Sequence, residues 1–462
     1  MNRLIIFFLC AFFFLERVFP QTKNLSSTLK SMLESTQLRS SLVGAKVVNS
    51  KTGKTIFELN SDKLLHPAST LKLFTTAAAL HYLGKDFSVK TEIFLDEKRN
   101  LIIKGNGNSL LRTEHYETIA QKIIQQGIKN IQHIIIDVSY FDDNSWGKGW
   151  MWDDEPGASA MHISPLCVNG NVVNVIVTPN KVNEKPFVEL DPRTSYFTLL
   201  NESKTVSAID NRFPLFEVTR KWKERENIIV VKGQLPATSL KDTFSVNVWK
   251  PEFYAGTLLK ERLNVGGVQI TGEIKRGTSE NSKKIFLLSH PLDSLIHKAN
   301  KESDNLSAEC LLKILAAEKN SIPGIADSGI HLEKIFYSLI GIDTSNMIIA
   351  DGSGASDYNL VSVNHVISLL QYQFKQSTFK SFKESLPIAG VDGTLKNRMK
   401  GTHAEGKVFA KTGTKRGINS LAGYIEKRNG EVISFAIIIN HFSGEIKTLR
   451  KIIDAFVLEI TK

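Results

Sequence analysis

The chain is organised around one stretch, His66-Pro67-Ala68-Ser69-Thr70-Leu71-Lys72-Leu73-Phe74. Ser69 and Lys72 are three residues apart, so at the mouth of a helix they share a face. A serine hydroxyl is a weak nucleophile unless a base lies within hydrogen-bond reach. A lysine stripped of water and set near other cations loses its proton more easily and can act as that base. The residues that follow, Leu71, Leu73, Phe74, Ala77, Ala78, Leu80 and Leu83, make the predicted helix apolar on most sides, the mark of a buried helix. Ser69 therefore stands where backbone N–H groups and the positive dipole end are exposed.

Four letters alone do not single out a site. Ser27-Thr28-Leu29-Lys30 repeats them, and Ser377 to Lys380 fits the same S-x-x-K pattern. Any one copy reads equally well as a helix start with a solvated lysine. The Ser27 copy falls in an amphipathic helix expected over 24–40. A Lys51-Thr52-Gly53 copy falls in the turn of a hairpin between Leu42–Val48 and Thr55–Leu59.

Two later segments separate the copies. Ser303-Asp304-Asn305 lies in a short connection between two predicted helices. There a serine can relay a proton, and an asparagine amide can donate to the substrate and to the lysine. Lys411-Thr412-Gly413-Thr414 lies on a strand beside an expected hairpin, Asn419–Glu426 and Glu431–Asn440, joined through Asn429-Gly430. A strand open on one side pairs with an extended peptide. Gly413 would let a ligand approach the backbone, while Lys411 and Thr412 would hold a carboxylate. Only Ser69–Lys72, Ser303–Asn305 and Lys411–Gly413 occur in that order.

The remainder of the chain bounds the answer. Its 462 residues, 42% hydrophobic and 23% charged, are those of a globular protein. Arg3 followed by an apolar run from Leu4 to Leu15 is read as a secretory signal spanning residues 1–21. Cleavage near Pro20 to Thr22 and retention as an anchor are both compatible with it. Cys167 and Cys310 remain after processing and are expected as buried thiols. No C-x-x-C or H-E-x-x-H occurs, so neither a metal nor a cofactor is expected. The net charge of +11 points toward anionic wall polymer or a membrane surface. The basic residues form no aromatic-interleaved stripe, so nucleic-acid binding is not expected. Residues 90 to 280 read as mostly β, with helices at 114–126 and 251–264 and strands that include one over Val268–Ile274. Trp146, Trp150 and Trp152 beside Asp153 and Asp154 read as an aromatic core corner.

The ordered motifs resemble those of the class C low-molecular-mass penicillin-binding proteins, the D-alanyl-D-alanine carboxypeptidase/endopeptidases of the S13 peptidase family. Asp351-Gly352-Ser353-Gly354-Ala355-Ser356 and Leu386-Pro387-Ile388-Ala389-Gly390-Val391-Asp392-Gly393-Thr394 strengthen the resemblance, as does the long interval between Ser69 and Ser303. It implies an α/β (α+β) penicillin-binding/serine β-lactamase-like transpeptidase fold, an antiparallel sheet flanked by helices, with a large β-rich insertion forming two extra domains. The catalytic domain would comprise 22–89 and 281–462, inserted domain II 90–170 and 250–280, and nested domain III 171–249.

By the same resemblance, Ser69 is the acylated nucleophile and Lys72 its base, and Ser303 and Asn305 complete the relay. Lys411, Thr412 and Thr414 bind a terminal carboxylate, and the backbone N–H groups of Ser69 and Thr414 form an oxyanion hole. Peptidoglycan peptides would be the substrate, β-lactams the covalent ligands, and the periplasm the location. The chain departs from the family pattern at Asp357, where a basic residue is usual, and at Gly105-Asn106-Gly107-Asn108-Ser109. Asp153 is a candidate contact for the substrate's distal amine. A serine β-lactamase or esterase on the same fold, and a non-enzymatic wall-binding or penicillin-sensing module, are the alternatives.

Overall fold

The computed structural model describes residues 24–320 and 322–462; the expected signal segment, with Cys10, lies outside them. At the centre is a five-stranded antiparallel sheet. Its order is Val408–Lys415, Ile418–Glu426, Val432–Asn440, Leu42–Asn49, Thr55–Leu59. Its inner strands are apolar on both faces because both faces are covered. Along the strand Val432–Asn440 the side chains alternate, as strand geometry requires. Ile433, Phe435, Ile437 and Ile439 pack with the terminal helices Leu25–Leu33 and Ile446–Thr461. Ala436 and Ile438 pack with a block of helices that includes Lys72–Leu83, Asn305–Lys319 and Val363–Phe374.

The expected helix over 24–40 ends at Leu33, and a 3-10 turn follows at Thr36–Leu38. Ser35 is extended there (ψ 153°). Serine and threonine side chains compete for backbone hydrogen bonds and so favour turns over helix interiors.

The long interval between Ser69 and Ser303 leaves and rejoins this body through an antiparallel pair, Ser88–Leu95 with Lys283–Pro291. Entry and exit lie side by side, so the body's packing is not interrupted. That pair supplies two strands of a mixed five-stranded sheet, completed by Leu101–Gly105, Ile134–Asp137 and Ile274–Arg276. The helices Thr113–Gln125 and Pro251–Val265 cover it through Tyr116, Ile119, Leu258 and Leu259. Beyond it lie two three-stranded sheets and one two-stranded sheet within residues 172–247.

The strand expected over Val268–Ile274 is instead two short strands in different sheets, Gln269–Ile270 and Ile274–Arg276. Gly272 divides them. It lies so close to the preceding loop that a Cβ would come within 2.5 Å of the Gln132 carbonyl oxygen and 2.3 Å of His133 Nδ1.

Candidate active site

The S-x-x-K copies differ in burial and in their contacts. Ser27 and Lys30 are exposed, the hydroxyl donating to the Asn24 carbonyl at 2.7 Å and the lysine 3.8 Å from Glu34. Ser377 and Lys380 are also exposed. Lys72, by contrast, is fully buried, and its Nζ lies 3.0 Å from Ser69 Oγ.

Ser69 sits in a 3-10 turn, Ala68–Leu71, and Lys72 opens the α-helix behind it. The sequence led us to expect a plain α-helical start; the tighter turn brings i and i+3 nearly into eclipse, so the hydroxyl and amine meet more directly. Ala68 holds the turn in a left-handed conformation (φ 48°), unusual for a residue with a Cβ. Gly354 makes room for it, because a Cβ there would lie 2.0 Å from the Ala68 carbonyl oxygen.

Lys72 Nζ has two further oxygen partners, Asn305 Oδ1 at 2.6 Å and the Ser353 carbonyl at 2.7 Å. The orientation of the Asn305 amide is fixed because its Nδ2 donates to the Ser159 carbonyl at 2.7 Å. This corrects the expected polarity: Asn305 accepts from the lysine instead of donating to it. Both Asn305 Oδ1 and the Ser353 carbonyl can only accept. A neutral amine therefore keeps its two N–H groups on them and turns its lone pair toward Ser69. Burial lowers the Lys72 pKa from 10.5 to about 8, against the opposing pull of Asp351, Glu309 and Asp304.

The second lysine is just as deeply buried. Lys411 Nζ donates to Ser303 Oγ and to the Thr412 carbonyl, each at 2.8 Å. Burial, and then the neighbouring charge of Lys72, press its pKa well below the ordinary value. Ser303 is presented from a left-handed backbone (φ 61°). The next residue, Asp304, caps the helix Asn305–Lys319 by accepting from the Ser307 N–H at 2.8 Å. Each residue of the Ser-Asp-Asn turn thus has its own task.

The strand Val408–Lys415 is an edge of the central sheet. Its outer side is covered at Ala410, whose N–H donates to the Pro387 carbonyl at 3.0 Å. Thr412 and Thr414 line an open cavity of about 460 Å³ with Ser69, Ser303, Thr394 and the cations Lys396, Arg398 and Arg450. Thr412 Oγ1 lies 2.7 Å from Thr394 Oγ1, and Thr414 Oγ1 accepts from Asn419 Nδ2 at 3.0 Å. Gly413 has a packing role besides the ligand approach expected of it. A Cβ there would meet Ser420 Oγ at 2.1 Å, the Pro67 carbonyl oxygen at 2.6 Å and Ser69 N at 3.1 Å. Its bareness lets the strand close on the serine turn.

A smaller cavity of about 120 Å³ shares Ser69 and Thr414 and adds Asp154, Asn305 and Lys415. Asp154, not the expected Asp153, lines it. Asp357 pairs with Lys415, which also donates to the Ala355 carbonyl at 2.8 Å. A cation from the Lys411 strand thus stands beside the position where the family pattern puts a basic residue.

Sequence reasoning missed Glu309, whose carboxylate accepts from the N–H groups of Gly352 (3.1 Å) and Ser353 (2.9 Å). It thereby orients the carbonyl that Lys72 uses. Burial and the nearby Asp351 raise its pKa to about 7. The available signal was an acid within the apolar run Leu306 to Ile314. Ser159 and Thr394 were also missed. Cys167 and Cys310 are buried free thiols, as expected. Among the described residues no cluster of potential metal ligands occurs and no helix is long and apolar enough to cross a membrane.

Known proteins resemble this chain along most of its length. The pattern of the D-Ala-D-Ala carboxypeptidase 3 (S13) family matches residues 25–460. A D-alanyl-D-alanine carboxypeptidase of Actinomadura sp. (strain R39) is 32% identical over 445 residues, covering 91% of this chain and 82% of that protein. D-alanyl-D-alanine carboxypeptidase DacB of Haemophilus influenzae is 28% identical over 423 residues, 88% of each chain. The crystal structure of penicillin binding protein 4 from Haemophilus influenzae superposes with a TM-score of 0.83 at 26% identity, over 94% of this chain and 99% of that one. A structure of the same protein complexed with a β-lactam gives 0.79 at 24% identity, with the same coverage.

Proposed function

The chain belongs to the D-Ala-D-Ala carboxypeptidase 3 (S13) family, and on that premise we propose that it is a serine D,D-carboxypeptidase and endopeptidase. It acts on peptidoglycan stem peptides through an acyl-enzyme at Ser69, and β-lactams block it by acylating the same oxygen. The observation that carries the proposal is the set of oxygens around Lys72 Nζ, which leaves a neutral amine's lone pair one direction to face, toward Ser69 Oγ.

In the first step Ser69 Oγ attacks the carbonyl carbon of the D-Ala-D-Ala bond while its proton passes to Lys72 Nζ. The negative charge developing on the carbonyl oxygen meets the backbone N–H groups of Ser69 and Thr414. The C–N bond then breaks, and the leaving amine takes a proton from the Lys72 and Ser303 relay. Water attacks the resulting ester, its proton returns through the same lysine, and Ser69 Oγ is released protonated. Lys411, Thr412 and Thr414 hold the terminal carboxylate of the substrate, with the cations of the larger cavity behind them. In endopeptidase turnover the leaving amine belongs to a cross-linked neighbour instead of free D-alanine. The enzyme works in the periplasm, where such peptides lie; the run Leu4 to Leu15 after Arg3 supports export.

The test is labelling with a fluorescent penicillin, wild type beside Ser69→Ala, together with release of D-alanine from a stem pentapeptide. Wild type should form a stable adduct and release D-alanine, and Ser69→Ala should do neither. Equal labelling of the two proteins overturns the site. Rapid hydrolysis of the adduct without release of D-alanine marks a β-lactamase instead.

A further inference from the structure

Trp152 does not sit in an aromatic core corner. Trp150 is buried, but Trp152 is 65% exposed and its neighbour Met151 51% exposed. The Trp152 ring meets Trp222 from the inserted stretch, with centroids 5.0 Å apart and planes tilted by 42°. Lys223 Nζ stands 5.7 Å from one ring centroid and 5.4 Å from the other. Trp152 is thus an open ring laid against a half-buried one, with Met151 exposed beside it, and a contiguous exposed apolar surface marks an interaction site.

The pair is held in place. Trp222 lies in the turn between the strands Glu217–Arg220 and Ile228–Lys232, with its N–H on the Arg220 carbonyl at 2.7 Å and its own carbonyl on the Arg225 N–H at 3.0 Å. Arg220 is buried and reaches across to Glu155 Oε1 at 2.5 Å, just beyond the Trp152–Asp154 turn. Glu155 also receives His162 Nε2 at 2.8 Å. This ion pair of a buried arginine with a part-buried glutamate thus fixes the two tryptophan-bearing segments against each other before any ligand arrives.

The pair also adjoins the cleft. Asp154, in the same turn as Trp152, lines the cavity that holds Ser69 and Asn305. Two residues extend at most about 7 Å, so the backbone that carries Trp152 is within that reach of a residue lining the cavity. Charges flanking it in the chain balance: Asp153, Glu224 and Glu226 against Lys221, Lys223 and Arg225. That mixture gives an anionic polymer or a membrane no net attraction. A neutral ring with an apolar C–H face and polar edges fits it, and Lys223 can donate to an acetamido oxygen.

We propose that Trp152 and Trp222, with Lys223, form a platform for the N-acetylated amino-sugar backbone that carries the stem peptide. The proposal rests on the peptidoglycan reading above. The platform favours peptides still attached to their glycan strand over free peptides.

The experiment compares wild type with Trp152→Ala, Trp222→Ala and Trp152→Phe. D-Alanine release is measured from a free stem pentapeptide and from soluble, uncross-linked glycan strands bearing it. The kcat/KM for strands divided by that for the free pentapeptide should fall about tenfold in the alanine variants, mostly through KM for strands, and largely recover in Trp152→Phe. An unchanged ratio overturns the platform. A tetramer of N-acetylglucosamine should inhibit release from strands but not from the free pentapeptide; this needs only the wild type, and equal inhibition of both substrates or of neither overturns the platform. If the wild type acts on neither substrate, the catalytic reading has failed. The platform is then judged by tetramer binding alone, read from tryptophan fluorescence: binding lost in Trp152→Ala sustains it and binding unchanged overturns it.

Discussion

The proposed mechanism concentrates its proton transfers on one atom, Lys72 Nζ. Its ordinary pKa of 10.5 falls to about 8 on burial. Between those values the unfolded chain holds a proton that the native one has released, so this group's contribution to stability rises with pH from about 8 to 10.5. Below pH 8 the fold carries a buried cation, which Glu309 and Asp351 partly offset. The catalytic consequence has the same sign: on the proposed mechanism the base is neutral Lys72, so acylation by penicillin should climb with pH and level off above a midpoint near 8. Lys72→Met should abolish that limb and slow acylation by about 10²–10⁴, as followed by stopped-flow labelling across the pH range. A flat profile in the wild type would assign the base to another group. The Ser69–Lys72 pair was legible because the later motifs occur in order. The buried partners Glu309 and the Ser353 carbonyl were not, since one is an acid inside an apolar run and the other a backbone atom with no letter of its own. Asp153 and Asp154 differ only in which of two adjacent carboxylates the turn aims into the cleft.

Strand and helix are coupled at the element scale through a contact that admits no side chain. Gly413 faces the serine turn so closely that a Cβ would overlap Ser420 Oγ and the Pro67 carbonyl. Ser420 Oγ itself donates to that carbonyl at 2.6 Å and lies 3.3 Å from Thr70 Oγ1. Gly413→Ala should therefore push the strand Val408–Lys415 off the turn. Overpacking of this kind destabilises by about 1–3 kcal/mol. Because Lys411 and Thr414 ride on the same strand, penicillin acylation should fall more than tenfold as well. Thermal melting and labelling of the variant measure the two effects; a lowered melting point with unchanged labelling would mean that the contact serves stability without aligning the site. Most elements were legible from their periodicity, including the helices Thr113–Gln125 and Pro251–Val265 and the strand that carries Lys411. The 3-10 turn at Ser69 and the left-handed backbones of Ala68 and Ser303 were not. Local letters do not specify them; Ala68, for one, depends on the missing side chain of Gly354, far along the chain.

In the whole molecule the insertion does more than hang from the catalytic body, because one of its loops is stapled beneath the site. Lys313 reaches Asp142 Oδ1 and the Asn144 carbonyl, each at 2.6 Å, and Tyr140 donates to Glu318 Oε1 at 2.6 Å. Trp150 Nε1 donates to Asp351 Oδ2 at 2.9 Å. Asp351 in turn accepts from the N–H groups of Gly354 at 2.8 Å and Ser356 at 2.7 Å, shaping the loop whose Ser353 carbonyl binds Lys72. None of these links follows from spacing, since they join residues as far apart as 201 positions. The length of the insertion was visible in the sequence, but its attachment was not. Trp150→Phe tests that attachment. Phenylalanine keeps much of the buried ring but removes the donor to a carboxylate, which should lower stability by about 1.5–3 kcal/mol. Asp351 keeps its other donors, so the fold should survive with its loop relaxed. The variant should then acylate more slowly with the Lys72 pH midpoint shifted, because the Ser353 carbonyl and the Asp351 charge both act on that amine. A variant that melts earlier but keeps both the rate and the midpoint would show that the insertion props up the body without tuning its lysine.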